Sequence, residues 1–163
     1  MRAPQKSPKK SSFFSFLAIL TAFFLANPSL VSPLSAQSVS RPPISPVQLE
    51  KLLRVIDRRG ENVRFNDQIT EALGLGEGVI VRQATATDPV TRQAYFFAAV
   101  PATGQYLVGT RDQFGGEIFL INSELRLVSG VAARDKIQKL SVPEAGKKLQ
   151  DILTKFEAFL EMN

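Results

Sequence analysis

The sequence predicts an α+β domain: a five-stranded antiparallel meander sheet with two N-terminal helices and one long C-terminal helix packed on it. Three observations carry that reading. From Val79 to Ala133 the chain alternates β-rich runs with short turns. Two segments with helical spacing of apolar residues precede this stretch. One long amphipathic segment follows it.

The first 36 residues stand apart. Arg2, Lys6, Lys9 and Lys10 make a basic start, Phe13 to Leu25 is an uncharged, mainly apolar run, and Leu34-Ser35-Ala36 ends the segment after Pro28 and Pro33. This is the three-part plan of a secretory signal peptide, with cleavage after Ala36. The run is too short to span a bilayer, which takes about 20 apolar residues. Two other readings are an uncleaved weak anchor reaching Val31 and a plastid transit peptide. The dense apolar run argues against the latter, because transit peptides are amphipathic and Arg-rich. The expected organisation is a signal peptide over 1–36, a Pro-rich linker over 37–45 and a single α+β domain over 46–163. The mature chain is then exported, to a periplasm, a lumen or the medium, and meets the membrane only transiently through its signal peptide.

Composition excludes several chemistries. The formal charge of +5 is concentrated in the leader, since the rest of the chain carries 16 basic and 15 acidic residues. A nearly neutral body lacks the electrostatic footprint of a nucleic-acid binder. The chain has no cysteine and no histidine. Disulfides, thiolate metal sites and Cys nucleophiles are therefore excluded, and the commonest general base and metal ligand are missing. No cofactor, no metal site and no catalytic residue is expected.

Ser45, Pro46 and Gln48 mark a helix start, a capping box with Pro at the first helical position. Leu49, Leu52, Leu53 and Ile56 follow on one face, Arg58 and Arg59 suit the last turn, and Gly60 stops the helix. The basic residues Arg54, Arg58, Arg59 and Arg64 read as dipole complements and solubilising groups rather than an anion site. Asn66 caps a short helix over 67–73, with Gly74 and Leu75 placed for a Schellman ending. The alternating glycines of Gly74 to Gly78 follow a helix and precede a strand, the reverse of a phosphate cradle, and read as a flexible connection.

Five strands follow: Val79 to Thr87, Arg92 to Val100, Tyr106 to Arg111, Glu117 to Ile121 and Leu125 to Ala133. Their short connections make sequential antiparallel neighbours. The second and fourth are apolar on both sides, with Tyr95 to Val100 and Ile118 to Ile121 as continuous runs. A sheet wet on one face would alternate. Both faces must therefore be covered at the middle, and the helices account for one. Ser141, Pro143 and Glu144 then start the last helix. Its apolar stripe is Ala145, Leu149, Ile152, Leu153, Phe156, Phe159 and Leu160.

Three functions fit these facts. The first is an exported, non-enzymatic binding or accessory protein, acting on a protein partner or through a homodimer at the second sheet face. The second is a carrier of a small apolar ligand held between the sheet and the C-terminal helix. Tyr95, Phe97, Tyr106 and Phe119 would line that site, with Arg82 and Arg111 as polar anchors. The third is a small carboxylate-dependent hydrolase using Asp112 and Glu117.

Overall fold

The computed structural model describes residues 42–162. The expected signal peptide and most of the linker lie outside these residues. The elements are α1 (Pro46–Arg59), β1 (Glu61–Arg64), α2 (Asp67–Leu73), β2 (Ile80–Thr87), β3 (Ala94–Val100), β4 (Gln105–Arg111), β5 (Gly116–Ile121), β6 (Leu127–Ala133), β7 (Ile137–Lys139) and α3 (Val142–Glu161). The fold is α+β with an antiparallel sheet and three helices, the last one long. The sheet is a meander, but it has seven strands in the order β1 to β7 rather than the expected five.

The two additional strands sit at the edges. β1 has four residues and β7 three. Glu61-Asn62-Val63-Arg64 and Ile137-Gln138-Lys139 are too short and too polar to show a period in sequence. Pairing with β2 and β6 makes them strands. Short, charged edges also discourage pairing with other chains.

Helix ends follow their caps. Ser45 accepts from the Gln48 amide at 3.2 Å, and Asn66 accepts from the amides of Gln68 and Ile69. At the end of α2 the Gly74 amide donates to Glu71 O and the Leu75 amide to Thr70 O, a complete Schellman pair. At the start of α3 the Ser141 hydroxyl donates to Glu144 instead of accepting from the backbone, at 2.7 Å.

Both sheet faces are covered, as the two-sided apolar strands require. On one face α1 and α3 lie over Tyr95, Phe97, Val108, Phe119 and Ile121, filling the space with Leu52, Ile56, Leu149, Leu153 and Phe156. Gln48 joins the two helices by donating to Glu157 at 2.7 Å. Ile44 is fully buried in the same cluster, and Pro43 O accepts from Gln150, so the chain just before α1 packs with the fold. On the other face Leu73 of α2 joins Val81, Phe96, Ala98, Leu107, Ile118, Leu120 and Val131.

That second face is concave. The Ser129 hydroxyl on β6 donates to Leu73 O at 3.1 Å. In a flat sheet β6 would lie about 24 Å from β1, at about 4.8 Å per strand. Phe65, Asn66 and the seven residues of α2 span only about 17 Å. The sheet must curl toward α2 for this bond to form. A bulge helps, since Ser129 lies opposite Leu120 while Leu127 lies opposite Ile121.

Two phenylalanines lie over glycines across the strands, one on each face. Phe96 faces Gly109, and Phe119 faces Gly130. A Cβ at 109 would stand 2.6 Å from Phe96 Cζ, and one at 130 would stand 2.8 Å from Phe119 Cδ1. Gly130→Ala is therefore expected to destabilise the domain by about 1–3 kcal/mol through overpacking. In a Phe119→Leu background the same change should cost at least about 1 kcal/mol less, because the ring it strikes is gone. Urea unfolding of the four proteins checks this coupling, and strict additivity would disprove the ring-over-glycine contact.

Candidate functional site

α2 covers only part of the concave face. Along the strands, this face carries successive rows of residues set by the register. Ala98, Leu107 and Leu120 form one row, under α2. Phe96, Gly109, Ile118 and Val131 form the next. Ala94 and Arg111 begin the last, at the end where the β2–β3 and β4–β5 turns lie. Beyond α2 these outer rows border a groove of about 580 Å³.

The floor of the groove is apolar. Phe65 leaves β1 and tilts against Phe96, ring centroids 5.8 Å apart. Val63, Ile69, Ile118 and Ala133 complete the apolar lining. The charged rim consists of Arg64, Asp67 and Arg111. Arg64 and Asp67 are joined at 3.1 Å. The side chain of Arg111 has no hydrogen bond or ion pair among the described residues.

Asp67 fixes the wall of the groove. Its second oxygen accepts from the Gly78 amide at 2.9 Å, tying the start of α2 to the end of the glycine loop. Gly74, Gly76 and Gly78 all take positive φ, at 88°, 80° and 71°. The expected flexible connection is thus a compact return that only glycines form without strain. The Gly78 amide, and after it Arg64, hold the Asp67 carboxyl below its ordinary value.

The six residues expected at a ligand site are not gathered into one. Tyr95, Phe97, Tyr106 and Phe119 do share a face, the one covered by α1 and α3. Phe97 and Phe119 are fully buried, Tyr95 stacks on Phe159 at 5.5 Å, and Tyr106 stacks on Phe97 at 5.7 Å. They are packed as core. Arg82 lies opposite Ala99, on the Phe97 side, whereas Arg111 lies opposite Ala94, on the Phe96 side. The two arginines therefore stand on opposite faces of the sheet.

Asp112 and Glu117 are each engaged locally. Asp112 accepts from the Phe114 amide at 2.7 Å in the β4–β5 turn, and Glu117 pairs with Lys148 of α3. Among the described residues, no group of three or more His, Cys, Asp or Glu is placed to hold a metal ion. Comparison with protein-family models, with curated proteins and with solved structures returned no match.

Sequence reasoning missed Phe65, Phe96 and Ile118. Phe96 and Ile118 carry the opposite strand parity from Tyr95, Phe97 and Phe119. Alternation separates Phe96 from Tyr95 and Phe97 within β3, but only the register sets Ile118 beside the first and Phe119 beside the others.

Acid stability reports the carboxylate ties. Asp67, Asp88 and Glu144 all lie below their ordinary values, Asp88 through the Thr91 hydroxyl and Glu144 through the Ser141 hydroxyl. A depressed folded-state value gives stability that is complete above the ordinary carboxylate range and is lost as pH falls through the lowered values. The thermal midpoint should be nearly flat from pH 7 to about 5 and fall below about pH 4. Asp67→Asn should reduce that acid loss. A midpoint that rises on acidification would contradict the assignment.

Proposed function

We propose that this chain is an exported, non-catalytic binding protein whose ligand places an apolar group in the groove on the concave face. The observation that carries this reading is the hollow beyond α2, floored by Phe65, Phe96 and Ile118 and bordered by the polar side chains of Arg64, Asn66, Asp67, Gln83, Thr110 and Arg111. Its volume falls in the range of ligand sites, about 300–1,000 Å³, and apolar walls with a few polar groups are what such sites share. The site differs from the one expected between the sheet and α3, where Leu149, Ile152, Leu153 and Phe156 fill the space.

A neutral fluorescent apolar probe, N-phenyl-1-naphthylamine, tests the reading. The protein should bind it with a saturable rise in emission. Ala133→Leu adds bulk to the groove lining, away from the core under α1 and α3. It should weaken binding by about tenfold, the scale of one or two buried methylenes, while the thermal midpoint stays within a few degrees. Unchanged affinity in Ala133→Leu would place the probe elsewhere.

Contact with a protein partner or a second copy is favoured by a different feature. Phe114 and Val90, at 69% and 86% exposure, project from neighbouring turns at the same end of the sheet. Exposed apolar side chains at one end of a sheet offer a surface that a contact would cover. Light scattering after size exclusion should then show a complex or dimer that Phe114→Ser disrupts, and a strictly monomeric protein at all concentrations would count against self-association.

A further inference from the structure

We propose that the groove selects a small amphipathic carboxylate, its apolar body on Phe65, Phe96 and Ile118 and its carboxylate on the guanidinium of Arg111. This rests on the groove being a binding site and adds the chemistry of what it takes.

The position of Arg111 carries the inference. It stands on the concave face, one row beyond Phe96 and Ile118, so a ligand lying on those residues ends beside it. Its neighbours across the strands are small. Ala94 lies opposite on β3, and the register from Gly109–Ile118 to Asp112–Gly115 sets Gly116 beside it on β5. No long side chain on either strand shields it from the groove.

The charge balance points the same way. Of the three charged residues that line the groove, Arg64 and Asp67 neutralise each other. Asp112, next to Arg111 in sequence, accepts from the Phe114 amide through Oδ1 within its own turn. Arg111 is left as the unpaired charge, a planar fork of donors at the edge of an apolar floor. A carboxylate matches that fork with two parallel hydrogen bonds, and a single guanidinium matches a single negative charge. An amine head group in the same place would meet repulsion, and an alcohol would gain only a neutral hydrogen bond.

Displacement of N-phenyl-1-naphthylamine from the full protein by octanoate, octanol and octylamine separates the two levels of the proposal. The three compounds share one apolar body and differ in the head group. Octanoate should displace the probe about tenfold more tightly than octanol, the scale of a charge-assisted hydrogen bond, with octylamine weakest. Arg111→Gln, a change at an exposed side chain, should bring octanoate to the affinity of octanol and leave octanol unchanged. Equal displacement by octanoate and octanol, or indifference of octanoate to Arg111→Gln, overturns the carboxylate assignment while leaving the apolar groove standing. Failure of the probe itself to bind overturns the groove reading and the assignment together.

Discussion

The constraint on which the rest of the structure depends is a sheet that is apolar on both sides at its middle. Phe96, Ala98 and Leu107 face one way; Phe97, Val108 and Phe119 face the other. Neither set tolerates water, at about 25 cal/mol for each Å² of apolar surface exposed. Three helices must therefore cover two faces, and they divide unequally. The 14-residue α1 and the 20-residue α3 take one face. The other receives only the seven-residue α2.

The sheet responds to that shortage by bending. A helix about 10 Å long cannot cover seven flat strands. Curling brings β6 within reach of α2, so that Ser129 meets Leu73 O, and brings Val63 of β1 and Ile137 of β7 into the same cluster. Gly74, Gly76 and Gly78 then return the chain to β2 in a tight path held by Asp67. Curling covers the row of Ala98, Leu107 and Leu120. The row of Phe96 and Ile118 lies toward the other end, buried at the bottom of the groove, where Phe65 leans on Phe96. The groove is thus a product of how a short helix and a long sheet fit together.

Much of this was legible in the chain. The five central strands were found to within a few residues, because their runs are long and their turns carry Pro, Gly, Asp and Asn at useful positions. Both long helices and their caps were marked by Ser45, Ser141 and the Leu and Ile spacing. That both sheet faces are buried followed from the continuous apolar runs Tyr95 to Val100 and Ile118 to Ile121. The edge strands were not legible, since three or four polar residues have no period and become strands only by pairing. Nor was the site. The expected lining of Tyr95, Phe97, Tyr106 and Phe119 does share a face, but which face keeps a groove is decided by the register and by the reach of the helices in three dimensions. Phe65, isolated between Arg64 and Asn66, gave no local signal of its position over Phe96. Arg82 and Arg111 looked alike in sequence, and only the register separates them to opposite faces.

The central claim is that the groove beyond α2 on the concave face receives an apolar group. Amide and aromatic NMR shifts followed during titration with N-phenyl-1-naphthylamine test it most directly. Binding at the groove predicts saturable shifts at Phe65, Phe96, Arg111 and Ile118, with Leu149, Leu153 and Phe156 unmoved. Shifts confined to the core under α1 and α3, or none at Phe65 and Phe96, would contradict it.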